Sequence, residues 1–203
     1  MAKDKNKITV FKSYFSLEKE LEYINEMNKK GWKLVYIKGG CFYTFVRTQP
    51  DEYVTIMHGV KKEEVSSITA FASQCGYESI PHTCDGFGNL IYFTGRKAVV
   101  PSDFVSSCEE KIKSNKIIGS FYNKCFVMYI IISLLLLPFC FMFFGATAFM
   151  IMDYGFQIVP VVLCSIFGIL CITFICMTIY LKVLGNKVKK KIKALQKEQN
   201  IYE

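Results

Sequence analysis

Apolar and polar positions alternate along this chain in three regimes, and each predicts a different kind of element. Val10 and Phe11 begin a short apolar strand, and Ser16 stands at the position of a helix cap. Leu17, Leu21, Ile24 and Met27, with Tyr23 flanking, then recur at spacings of four and three, while Glu18, Lys19, Glu22, Glu26 and Lys29 take the other face. That periodicity is the signature of an amphipathic helix, and Gly31 closes it as a C-terminal glycine does. Trp32 to Ile37 and Cys41 to Arg47 are rich in aromatic and β-branched residues around Lys38-Gly39-Gly40, which predicts a β-hairpin.

The same order then returns. Val54 to Met57 predicts a strand, and Lys61 to Gln74 a helix with Val65, Ile68, Phe71 and Ala72 on its apolar stripe. Gly76-Tyr77 closes that helix as Gly31-Trp32 closed the first. Glu78 to Ile80 and Leu90 to Thr94 supply two more strands around the Cys84-Asp85-Gly86-Phe87-Gly88 loop. Phe93-Thr94-Gly95-Arg96 echoes Phe45-Val46-Arg47. The expected fold is therefore α+β: a duplicated β-α-β-β unit with an antiparallel sheet, near the ferredoxin-like group, its helices on one sheet face. The opposite face is left for a partner, a ligand or solvent.

The third regime begins after residue 100. Pro101 ends the domain, and Ser102 or Asp103 caps a connecting helix over 101–125 with Phe104, Val105, Cys108 and Ile112 on one side. Two apolar runs follow, about 126–152 and 158–184, joined by Asp153-Tyr154-Gly155-Phe156-Gln157. From Cys125 to Leu181 there is no Lys or Arg, and Asp153 is the sole formal charge. Because backbone polar groups must be satisfied within the segment where water is absent, about 20 apolar residues cross a bilayer as a helix. Both runs exceed that length and predict a transmembrane hairpin. Pro138 is expected to kink the first span. Small residues at matched depth, Gly145 and Ala148 against Ser165 and Gly168, are expected to form the helix–helix contact.

Composition sharpens the topology. Of the net charge of +8, residues 1–100 hold +3 (14 − 11), residues 101–181 hold 0 (4 − 4) and the tail from Lys182 holds +5 (7 − 2). Lys111, Lys113, Lys116 and Lys124 precede the first span and Lys182 follows the second, so the positive-inside rule places both termini in the cytoplasm of a two-pass protein of the cell membrane. Met1 to Lys5 lead straight into polar sequence, so insertion is expected to rely on the late hairpin. In the tail, residues 185–203, Val188, Ile192 and Leu195 repeat at helical spacing among Lys187, Lys189, Lys190, Lys191 and Lys193. These lysines are candidate headgroup contacts if the helix lies at the membrane surface; the alternative is a solvated stop-transfer tail. Charge gathered in a tail argues against direct nucleic-acid binding, whose readers spread Lys and Arg over a folded face.

Candidate chemistry is sparse. There is no G-x-G-x-x-G, no phosphate loop, no G-x-S-x-G and no H-E-x-x-H. His58 and His82 have no acid or thiol partner at a meaningful spacing, and Cys75, His82 and Cys84 match no zinc module. We therefore expect no enzyme activity, no cofactor and no metal. The nine cysteines are expected to stay reduced in the cytoplasm and membrane. With no ionisable residue inside either span, transport by this chain alone is not expected. The aromatics Trp32, Tyr36, Tyr43, Phe45 and Tyr92 are either sheet core or a face that takes a ligand or partner.

Phe11-x-x-x-Phe15, the helix ending in Asn25-Glu26-Met27-x-x-x-Gly31-Trp32-x-Leu34, the Tyr43-x-Phe45 strand, and Gly76-Tyr77-Glu78 with Tyr92-Phe93 resemble the domain of unknown function 2812 family over roughly residues 8–97. Tyr77 departs from the pattern, in a place where tryptophan is expected. The resemblance implies a bacterial protein, often Gram-positive, that continues into C-terminal membrane helices and is encoded beside PadR-type transcriptional repressors. It implies a membrane-linked regulatory role and brings no catalytic residues. Three functions follow as expectations: a non-enzymatic membrane regulatory protein with a cytoplasmic or membrane protein partner, a small-molecule or lipid sensor, or an accessory subunit of a transporter. A homo-oligomer is compatible with each.

Overall fold

A computed structural model describes residues 6–83, 90–101, 107–154 and 158–202. The loop at Cys84 to Gly88, the cap at Ser102 or Asp103 and the joint at Gly155 to Gln157 lie outside the described residues. The elements run β1 (Lys7–Phe11), α1 (Leu17–Lys29), β2 (Trp32–Lys38), β3 (Phe42–Arg47), β4 (Tyr53–Gly59), a short 3-10 turn (Lys62–Glu64), α2 (Val65–Gln74), β5 (Tyr77–Ile80), β6 (His82–Thr83), β7 (Leu90–Arg96), α3 (Cys108–Tyr154) and α4 (Ile158–Tyr202). Val10 and Phe11 end the first strand rather than begin it.

The duplication is visible in the pairing. β3 lies between β1 and β2 and is antiparallel to both, and β7 lies in the same way between β4 and β5. Phe45 pairs with Ile8 and Leu34, and Phe93 pairs with Ile56 and Ser79, at corresponding places in the two sheets. In place of the single antiparallel sheet expected, there are two sheets, of four and three strands. β6 crosses to the first, running parallel to β2, with the Ile37 amide donating to Pro81 O at 3.2 Å.

Local chemistry accounts for the helix ends. Ser16 caps α1, its hydroxyl 3.4 Å from the Lys19 amide that donates to it. Gly31 and Gly76 follow α1 and α2 at φ +80 and +85, the left-handed conformation that a C-terminal stop requires. A Cβ on Gly31 would also come within 2.8 Å of Thr48 O. The substitution is therefore blocked twice.

The helices do not share one sheet face. Ile24 and Met27 of α1 pack with Leu34, Ile37, Tyr43 and Phe45 of the first sheet, and also with Ile80 and Tyr92 of the second. Ala72 of α2, with Val65 and Ile68 beside it, packs with Tyr77, Ile91 and Phe93 on the other side of the second sheet. That sheet is covered on both faces. Among the described residues the first sheet is covered on one, since side chains alternate along a strand and Lys7, Thr9, Phe11, Tyr36, Lys38 and Phe42 occupy the face opposite its core.

α3 has 47 residues and α4 has 45, each far longer than the apolar run within it. The helix predicted to connect the domain to the first span and the span itself are one element, and α3 continues through Pro138. Both are long and apolar enough to cross a membrane, with mean hydropathy 2.6 and 2.3 in their most apolar windows. The chain divides into two compact units. One holds the sheets together with the beginning of α3 and the end of α4, and the other runs from Tyr122 to Lys187.

Within the Tyr122–Lys187 unit the two helices meet side by side. Phe143 stacks on Phe167 with ring centroids 4.5 Å apart, Thr147 Oγ1 lies 2.8 Å from Cys164 Sγ, and the Cys140 and Cys171 thiols are 2.9 Å apart. Cys164, which stands at the depth of the expected small-residue contact, takes part in this one, while the four residues expected to form it do not. A Cβ added to Gly145 or Gly168 would meet nothing within 4 Å, and Ala148 and Ser165 are exposed. The depth was right and the face was not. Contacting positions 140, 143 and 147 advance by three and four, and Gly145 lies about 200° around the helix from Phe143.

Candidate functional site

Glu20 is the most unusual group in the sheet-bearing unit. It lies on the stripe of α1 that turns inward with Leu17, Ile24 and Met27, and is only 5% exposed. A carboxylate buried without partners is costly, so such groups are found hydrogen-bonded or neutralised. The Tyr43 hydroxyl donates to Glu20 Oε1 at 2.9 Å and the Tyr92 hydroxyl donates to the same oxygen at 2.8 Å. Tyr43 comes from β3 of the first repeat and Tyr92 from β7 of the second. One carboxyl oxygen therefore ties the two halves of the duplication together.

Burial pushes the Glu20 carboxyl above the usual carboxylate range, and the two tyrosine hydroxyls pull it part of the way back. The Tyr43 hydroxyl is raised by burial first and by the neighbouring Glu20 charge second. Tyr14 and Tyr23 complete the surroundings, both raised, chiefly by burial. The rings of Tyr14 and Tyr23 are 5.6 Å apart, and each meets the Tyr43 ring edge-on at 6.2 and 6.3 Å. Lys12 Nζ sits 4.2 Å from the Tyr23 ring centre.

A second polar clasp lies one turn further along α1. The Asn25 side chain donates to Thr55 O and accepts from the Thr55 amide, both at 2.8 Å, pairing with β4 as another strand would. Asn28, 2% exposed, donates to Asn25 Oδ1 and to Thr55 Oγ1 at 3.2 and 3.0 Å. Its own Oδ1 is the buried side-chain oxygen without a partner among the described residues.

The aromatics singled out from the sequence divide between environments. Tyr43, Phe45 and Tyr92 come together in the core, 0%, 0% and 5% exposed. Trp32 is half-buried at the margin of that core, beneath the Arg47 guanidinium at 5.0 Å. Tyr36 pairs with Thr44 and belongs to the opposite face of the first sheet. In the tail, Lys187, Lys189, Lys190, Lys191 and Lys193 are exposed on α4. Of the apolar stripe between them, Val188 is buried and Ile192 and Leu195 are half-buried. The Cys108 thiol of α3 donates to Leu195 O at 3.2 Å, and a Cβ on Gly119 would stand 3.5 Å from Val188.

Glu20 and Asn28 were not singled out in the sequence, and Asn25 entered only through the family resemblance. The available signal was a carboxylate set three or four residues from Leu17 and Ile24, inside an apolar stripe. Chemically the arrangement holds a buried carboxyl group between two hydroxyl donors and fixes two repeats. It presents no nucleophile beside a base, and among the described residues no cluster of three metal-binding side chains occurs.

The fold thus defines a class: a duplicated β-α-β-β domain continued into two long apolar helices. Residues 16–129, more than half of the chain, match the family described as Protein of unknown function (DUF2812), and the chain belongs to that family. The match begins at the cap of α1 and extends into α3, beyond the resemblance seen in the sequence. No curated protein and no solved structure matches it.

Proposed function

We propose that this protein is a non-enzymatic, membrane-anchored regulator of a bacterial cell membrane, with both termini in the cytoplasm, whose sheet domain engages a protein partner. The observation that carries the reading is the division of labour between charge and apolar surface. In the domain the buried polar groups are turned on one another, Glu20 on Tyr43 and Tyr92 and Asn25 on Thr55, which favours a binding scaffold over a catalyst. In the apolar helices no Lys or Arg interrupts residues 126–180, which favours an anchor over a conduit. The lysines before the first run and after the second support cytoplasmic ends.

The family resemblance makes a PadR-type transcriptional regulator the first partner to test. Crosslinking in cells, solubilisation in mild detergent and purification of the full chain should recover such a regulator in stoichiometric amount. Recovery of no cytoplasmic regulator, with and without membrane stress, would overturn the reading.

A further inference from the structure

We infer that one corner of the first repeat, where β1 ends beside the β2–β3 turn, is a docking surface for an anionic lipid bilayer. Two large aromatic side chains are left largely exposed there: Phe11 is 65% exposed and Phe42 43%. Phe11 and Phe42 are partners in the β1–β3 register, their ring centroids 5.1 Å apart. Lys38 is the partner of Phe42 on the other side, so Phe11, Phe42 and Lys38 form one row across three strands.

The corner is built, not frayed. Gly39 and Gly40 turn the chain at φ +58 and +66, and the Lys12 amide donates to Cys41 O at 2.8 Å, closing the end of β1 onto the turn. Lys12 reaches back over the Tyr23 ring. Segments 11–15 and 38–42 together contain two lysines and no acidic residue.

Aromatic rings with lysines beside them match the boundary of a bilayer, where rings enter the headgroup layer and ammonium groups meet phosphates. A second copy of the same corner would oppose like charges. A bilayer is also the surface this chain meets at the highest effective concentration, because its own apolar helices hold it there. The inference does not depend on the identity of any protein partner.

The test uses the full chain in lipid nanodiscs. With Trp32→Phe removing the single native tryptophan, Phe11→Trp and, separately, Phe42→Trp place a reporter in the corner, and Phe71→Trp places one on α2. Nanodiscs containing brominated anionic lipid should quench the corner reporters and shield them from aqueous acrylamide, and should leave the Phe71→Trp reporter open to acrylamide. Replacing the anionic lipid by zwitterionic lipid should reduce the quenching at least about twofold. Full acrylamide access at both corner positions would overturn the inference, as would equal bromine quenching at Phe71→Trp or quenching indifferent to lipid charge. Crosslinking between two copies through the corner, without bromine quenching, would overturn it in favour of self-association.

Discussion

The sheet domain and the apolar helices are both rich in large hydrophobic side chains, and they handle them in opposite ways. In the domain Tyr43, Phe45 and Phe93 have no exposed surface, and the core closes around a Glu20 carboxyl held by the Tyr43 and Tyr92 hydroxyls. In α3, Leu134, Leu135 and Leu137 are 62%, 64% and 47% exposed, and the most apolar window of that helix buries nothing. Burying apolar area is worth about 25 cal/mol per Å² wherever water is excluded. One region excludes water by folding on itself. The other requires a bilayer to do it.

The largest effect expected from breaking this contrast is in the apolar helix. Leu137→Arg places a charge near the middle of the first span, at a cost of about 2.5 to 3.5 kcal/mol on insertion scales, and should cut the yield in the membrane fraction severely. Phe71→Arg, on an exposed position of α2, should leave membrane yield unchanged. Equal behaviour of the two variants would mean that the apolar helices do not face lipid.

A smaller effect is expected inside the domain. Glu20→Ala removes the acceptor that the Tyr43 and Tyr92 hydroxyls share, while Tyr43 keeps its bond to Gly40 O at 3.2 Å, a loss of about 1 to 3 kcal/mol, measurable by denaturation of the detergent-solubilised chain followed at Trp32. Glu20→Gln keeps an acceptor oxygen and should lose less.

The smallest effect is a pH dependence. The Glu20 carboxyl is raised above its ordinary value in the folded state, so folding favours its protonated form. Its contribution is fully present below the ordinary carboxylate value of about 4.3 and is lost as pH rises through the raised value. Denaturation midpoints should therefore fall as pH rises from the ordinary value through the raised one and level off above it, and Glu20→Gln should remove this component.

How much of this was legible in the sequence follows from what each residue depends on. The duplicated order of elements could be read because each helix repeats its apolar stripe and each ends on a glycine followed by an aromatic ring, features that depend on a few neighbouring residues. The sharing of α1 between two sheets could not, because Asn25 and Glu20 are explained only by Thr55 and Tyr92, thirty and more residues away. The helix hairpin was legible from hydropathy. Its contact face was not, since Gly145 and Thr147 lie at nearly one depth and only the rotation of the helix separates them. The helices flanking the apolar runs were legible from the spacing of Ile112 before them and Val188, Ile192 and Leu195 after them; that each is continuous with its span as one element was not.

The account rests most heavily on a domain held in the cytoplasm by a two-pass anchor, and side-specific labelling tests it most directly. In a cysteine-free background, Ser13→Cys in the domain, Asn200→Cys in the tail and Gly155→Cys in the joint between the apolar runs would be exposed to a membrane-impermeant maleimide, in intact cells and after permeabilisation. The account predicts labelling of Gly155→Cys in intact cells, and labelling of Ser13→Cys and Asn200→Cys only after permeabilisation. Labelling of Ser13→Cys or Asn200→Cys in intact cells would contradict it.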